Sequence, residues 1–239
     1  MHYRILASLL PIGLIVATAS AQQPPMGTPG QGPDSANYGG TGIPNNHLMN
    51  YVGADGVVLA LGAEARCAGN LAWDGDGTYY ASPGRYVPGT LGCPDQNWAT
   101  WNFNFFISDP GHGDTYRLFY DINPSANPTF ADLGMVWFPL SGGVYQDSWN
   151  LSMGFLSVSN PPYVTPPAWS GSFDYNAAGV YSFGLAQFDA DGNIVEGSRI
   201  SMNVDVGTTV TPEPATLLLL GTGLLGLGGV VRRRRRSSI

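Results

Sequence analysis

Ile200-Ser-Met202-Asn-Val204-Asp-Val206 alternates apolar and polar side chains without a break. Period two is the signature of a strand with one face on a core and the other toward water. The same alternation runs through Trp101-Asn-Phe103-Asn-Phe105 and Tyr116-Arg-Leu118-Phe-Tyr120-Asp-Ile122. It recurs in Trp149-Asn-Leu151-Ser-Met153-Gly-Phe155 and Tyr181-Ser-Phe183-Gly-Leu185. Leu133 to Leu140 is more continuously apolar and reads as a candidate central strand. Turn formers separate the runs: Asp109-Pro-Gly, Asn123-Pro-Ser, Ser141-Gly-Gly, Asn160-Pro-Pro and Asp191-Gly-Asn. The pattern predicts an all-β domain over residues 51–206. Its expected form is a single antiparallel β-sandwich, immunoglobulin-like or jelly-roll-like. Val57 to Arg66 is the one stretch in it that reads as helix, and Val57–Leu61 reads equally as strand. The order of the strands is not legible from periodicity.

Outside this domain the composition changes. Residues 22–50 are dense in Gly, Pro, Asn and Gln with no periodicity, and they read as a flexible linker. The charge is also uneven. All ten basic residues are Arg; five stand together at Arg232–Arg236 and one is Arg4. Residues 22–211 keep four Arg (Arg66, Arg85, Arg117, Arg199) against sixteen acids, a balance of −12. So acidic a body lacks the basic face that nucleic acid needs. It also lacks one that would hold anionic lipid.

The two ends read as targeting segments. Arg4 is a short positive region, Ile5 to Ala17 an apolar stretch, and Ala19-Ser20-Ala21 a small-residue cleavage site. Residues 1–21 therefore read as a signal peptide with its helix, and Gln22 as the first mature residue. The alternative is an uncleaved anchor helix. At the other end, residues 207–239 contain the uncharged stretch Ala215 to Val231, followed at once by Arg232, Arg233, Arg234, Arg235 and Arg236. As a helix, 215–231 reaches roughly 25 Å, enough to cross a bilayer. The arginines would stay cytoplasmic and the bulk of the chain outside. A permanent tail anchor is the plain reading.

Pro212-Glu213-Pro214, an apolar Leu/Gly helix and a terminal Arg cluster together resemble the PEP-CTERM sorting signal. Proteins of that family are substrates of an exosortase, a membrane-embedded cysteine protease-transpeptidase. The resemblance implies processing, then release from or attachment to the surface of Gram-negative bacteria that make exopolysaccharide. It assigns Pro212, Glu213 and Pro214 to recognition and makes 215–231 a transient inner-membrane anchor. The two prolines would keep that tripeptide extended, as a protease substrate must be. Three segments of the middle loosely resemble the β-rich ectodomains of other PEP-CTERM proteins: Trp101–Phe105, Tyr116–Ala126 and Ala178–Asn193. No activity comes with that likeness.

The remaining constellations have plainer readings beside the functional ones. Cys67 and Cys93 are the only cysteines, and in an exported chain an even count implies a disulfide. Closing a loop of about 27 residues would contribute roughly 3.5 kcal/mol in the loop-entropy picture. Asp74 and Asp76, and likewise Asp189, Asp191 and Asn193, resemble Ca²⁺ loops. Neither is an EF-hand, since Ile200 stands where the twelfth-position Glu belongs, and both suit plain Asp-Gly turns. No other cofactor is expected. His112 lies beside Asp109 and Asp114, yet no nucleophile motif accompanies it, so it reads as a loop histidine; His47 carries no signal. Among the loop aromatics, Trp73, Tyr79, Tyr80, Tyr86 and Trp169 would suit stacking on sugar rings if exposed. The expectation is a non-enzymatic surface or matrix protein, with signal peptidase, exosortase and exopolysaccharide as partners. A carbohydrate-binding module, Ca²⁺-assisted or not, is the alternative. An envelope hydrolase comes third; it would need a pair of carboxylates that sequence spacing does not reveal.

Overall fold

A computed structural model describes residues 26–30, 32, 46–86, 98–111, 113–124, 131–140, 142–169 and 171–207. Thirteen strands follow one another along it. They are β1 (Thr28–Gly30), β2 (Leu48–Val52), β3 (Val58–Ala65), β4 (Gly69–Asn70), β5 (Ala72–Trp73), β6 (Thr78–Ala81) and β7 (Trp101–Asp109). Then come β8 (Thr115–Tyr120), β9 (Gly134–Phe138), β10 (Gly143–Trp149), β11 (Val164–Thr165), β12 (Gly179–Phe188) and β13 (Ile200–Val206). A 3-10 turn, Gly154–Ser157, sits between β10 and β11.

The strands form two sheets. The first runs β1-β2-β3-β7-β10, with β4 paired to β3. The second runs β11-β9-β8-β12-β13-β6-β5. One apolar core lies between them. Leu59, Leu61, Phe103 and Phe105 come from the first sheet, and Leu118, Phe183, Met202 and Val204 from the second. Aromatic rings join the sheets: Phe103 lies 4.7 Å from Phe183, and Phe105 lies 5.4 Å from Phe138. Ring pairs at such separations add to the area they bury. Gly134 is required for this packing, because a Cβ there would stand 2.4 Å from the Tyr120 ring. That ring turns its hydroxyl to donate to the Leu156 carbonyl at 2.6 Å.

Several expectations are corrected. Val58–Ala65 is a strand, not a helix. It pairs with β2 and β7 at once and buries both faces, which an unbroken apolar run of this length permits. Trp149–Phe155 is not a strand. β10 ends at Trp149, and the Asn150 side chain accepts the Ser152 N–H and turns the chain into the 3-10 segment. Leu133–Leu140 holds β9, which is not central. Only the two-residue β11 lies beyond it, and its burial alternates. The pairing is antiparallel except between β13 and β6, which run parallel from Asn203↔Thr78 to Val206↔Ala81. The stretch expected as linker also contributes to the fold: Thr28–Gly30 pairs with Leu48–Asn50, and Met26 bridges Ser201.

The signal helix at 1–21, the helix at 215–231, Pro212–Pro214, Arg232–Arg236, Cys93 and His112 lie outside the described residues. Among the described residues no helix is long and apolar enough to cross a membrane.

Candidate functional site

The loop aromatics are not brought together. Trp73 and Tyr79 are cross-strand partners on β5 and β6, with rings 6.0 Å apart and nearly parallel. Tyr79 is fully buried, its hydroxyl donating to the His47 carbonyl, so it is a core residue rather than an exposed platform. Tyr86 is buried as well. It lies under the Arg66 guanidinium, which also stands 4.2 Å from the Trp98 ring. Tyr80 is half-buried, and its phenol is raised by burial and by Asp74 and Asp205. Trp169 is exposed, with its ring folded over Gly171. It follows β11, at the opposite edge of the second sheet from Trp73. The exposed aromatics that periodicity missed are Tyr145, Phe155 and Tyr163. Tyr163 packs 5.9 Å from Trp137. The Asn160-Pro-Pro turn beside it was the available signal, since a strand-breaking turn presents its neighbours to solvent.

The two Asp-rich loops are built as turns. Asp74 Oδ1 accepts the N–H groups of Asp76 and Thr78 at 2.7 and 3.0 Å. Asp189 Oδ1 accepts those of Asp191 and Asn193 at 3.0 and 2.8 Å, which holds its carboxyl below the ordinary range. Each loop offers two carboxylates, one of them already engaged by the backbone. Among the described residues no group of three or more His, Cys, Asp or Glu is placed to hold a metal ion.

Two polar clusters went unread in the sequence. At one end of the core, Gln187 is buried in β12 and its amide donates to Asp55 at 2.9 Å and Asp114 at 2.7 Å. It thereby joins the β2–β3 turn to the β7–β8 turn. On the outer side of the first sheet, Glu64 is 3% exposed and accepts the Ser148 hydroxyl at 2.8 Å. Burial pushes its carboxyl up to about 7, against the opposing pull of Ser148, Asn102, Asn104 and Arg66. Its neighbours are amides, a hydroxyl and a guanidinium. Fully buried Asn150 continues the network by donating to Asn102 Oδ1 at 2.8 Å.

The described fold closes on its C-terminal side with β13. The N–H of Gly207 donates to the Ala81 carbonyl at 2.9 Å. The stretch just beyond decides what can be said of the whole chain. Residues 210–236 match the PEP-CTERM protein-sorting motif. The match supports a PEP-CTERM protein and implies exosortase as processing partner. It also suggests an exported, cell-surface protein. No curated protein matches the chain. Cys67 stands exposed in the turn after β3 with φ of 57°, and the expected partner Cys93 is among the residues left undescribed.

Proposed function

We propose that this chain is an exported, exosortase-processed protein of the cell surface or extracellular matrix of an exopolysaccharide-producing bacterium. Its role is structural or adhesive rather than catalytic. The observation that carries the reading is the PEP-CTERM match at 210–236, which begins just after the last strand of a two-sheet ectodomain. Residues 1–21 direct export and are removed. Residues 215–231 hold the chain in the inner membrane until Pro212-Glu213-Pro214 is presented to the protease. The Cys67–Cys93 bridge belongs to the same reading; it suits an oxidising compartment, and no free cysteine is found among the described residues.

Intact mass and cell fraction in the native host test this. The expected protein lacks both ends and is recovered from the surface, matrix or medium. A chain that keeps 215–239 and stays in the inner membrane would overturn it.

A second reading, carbohydrate binding, is favoured by the exposure of Tyr145, Phe155, Tyr163 and Trp169 along one stretch of chain. Retardation on gels of the host's own polysaccharide, weakened at least about threefold by Trp169→Ala, would support it. Addition of calcium or a chelator then asks whether the Asp74 and Asp189 loops take part. Unretarded passage through the gel would remove this reading while leaving the first intact.

A further inference from the structure

Among the described residues, five strands lie at sheet edges, and they are not alike. β4, β5 and β11 have two residues each and β1 has three. Very short edge strands are a standard protection against unwanted pairing. β10 is the exception. It runs seven residues, Gly143-Val-Tyr-Gln-Asp-Ser-Trp149, in unbroken register with β7 from Gly143↔Asp109 to Trp149↔Phe103. It contains no proline, no basic side chain and no bulge. Among the described residues, Asp147 is its single protective device. That carboxylate accepts the Ser148 N–H at 2.8 Å and the Trp149 indole N–H at 2.7 Å, so it covers only the far end of the edge. The near half, Gly143, Val144 and Tyr145, is exposed and uncharged.

The open half adjoins an unfinished part of the core. Tyr145 stacks on Phe105 at 5.9 Å and packs on Phe138 at 4.9 Å, yet it stays 38% exposed. Phe155 stands edge-on to Trp149 at 5.0 Å and is 42% exposed. An aromatic seam joins the two sheets here, and its outer members are left in water.

We propose that β10 is a self-association edge, and that its occupant is the β10 strand of a second copy of this chain. Two observations favour a copy over another partner. The open half carries no charge that would select a basic or acidic partner. A two-fold axis through Tyr145 sets the two tyrosines opposite each other, Val144 opposite Gln146 and Asp147 opposite Gly143. No carboxylate then meets its copy, which matters in a chain of net charge −7. Such an isologous contact is the commonest way for identical chains to pair. It would run the first sheets of two copies into one and shield the tyrosines. The inference goes beyond the sorting reading and does not depend on it.

Sedimentation of the full chain in detergent, over a wide concentration range, tests it. A concentration-dependent dimer is expected. Val144→Lys places like charges along the edge and should weaken that dimer at least about tenfold. Val144 is exposed, so the monomer fold should keep its circular dichroism. Val52→Lys, at another exposed position of the same sheet, should leave the dimer unchanged. Hydrogen exchange at residues 143–146 should slow as the dimer forms. A monomer at every concentration would overturn the proposal. So would a dimer indifferent to Val144→Lys, which would point to the apolar C-terminal stretch instead, or one that both variants weaken equally.

Discussion

Asn150→Ala is expected to be among the most damaging single substitutions in this chain. Asn150 is fully buried immediately after β10, and its side chain uses every bonding position it has. Its two amide N–H groups are shared among the carbonyls of Ala99 and Trp101 at 3.1 and 2.7 Å and Asn102 Oδ1 at 2.8 Å. Its oxygen accepts the N–H groups of Ala99 and Ser152, each at 3.1 Å. It therefore fixes the entry to β7, the exit of β10 and the turn toward the 3-10 segment in one place. Truncation strands several buried backbone groups, each of which costs about 1–3 kcal/mol when unpaired and out of reach of water. Relaxation and entering water recover part of this, so a net loss of about 3–5 kcal/mol is expected. That corresponds to a fall in Tm of roughly 10 °C or more. Asn150→Asp should also be severe near neutral pH, because it removes the donors and adds a buried charge. Asn176→Ala, at an exposed turn, serves as the reference and should lie within about 0.5 kcal/mol of the parent. Urea melts of the three variants check this. A loss below about 1 kcal/mol for Asn150→Ala would mean that the bracket is redundant.

Asn150 also shows what the sequence could not reveal. The run Trp149-Asn-Leu-Ser-Met-Gly-Phe155 has the period of a strand, and Leu151 is indeed buried. What ends the strand is a side chain that accepts the nearby Ser152 N–H and is anchored on backbone far away in sequence, and periodicity carries no trace of that. Where the ladder alone decides, the pattern was legible. Ile200–Val206 forms β13 with the predicted bounds, and Tyr181–Leu185 lies within β12. Val58–Ala65 was ambiguous because burial on both faces removes alternation, and an apolar run of that length suits a helix equally well. The parallel pairing of β6 with β13 joins segments more than a hundred residues apart, and local patterning cannot encode such an order.

The functional signals divide in the same way. The sorting segment was legible because it is linear: a tripeptide, an apolar stretch and an Arg run, recognised as chemistry along a chain. The aromatic residues were judged by their loop context alone. That left Tyr79 and Tyr86 open to exposure when they are buried, and it passed over Tyr145, Phe155 and Tyr163. Nothing in the sequence around Glu64 marks it. Its setting depends on β3, β7 and β10 lying side by side, which puts Asn102, Asn104 and Ser148 around it.

That setting makes the fold sensitive to pH, with the direction fixed by burial. Glu64 is pushed from its ordinary 4.5 to about 7, chiefly by burial, and Asp121 from 3.8 to about 6 for the same reason. Asp121 is 4% exposed, and the N–H groups of Asn123 and Ile122 only partly offset the cost of its charge. Both folded values lie above the unfolded ones, so between them the folded state holds protons that the unfolded state releases. Stability from these two groups is therefore fully present below about pH 4 and declines as pH rises, until it levels off above about pH 7. For Glu64 alone the decline is on the order of 3 kcal/mol. Carboxylates held low, such as Asp189, act in the opposite sense at more acid pH, so the net optimum should fall near pH 5. Urea melts at pH 5, 6, 7 and 8 are expected to show the parent losing stability across that series. Glu64→Gln keeps an acceptor for Ser148 without the charge. It should flatten the decline and be more stable than the parent at pH 8 by on the order of 1–3 kcal/mol. Asp121→Asn should flatten the lower part of the same window. Parent stability that rises from pH 5 to pH 8, or a slope that neither variant changes, would show that these carboxylates are not held neutral by burial. The expected result describes an ectodomain that is most secure in mildly acid surroundings and loosens toward alkaline ones, although its surface is acidic. The buried carboxylates of Glu64 and Asp121, rather than the many exposed ones, set that preference.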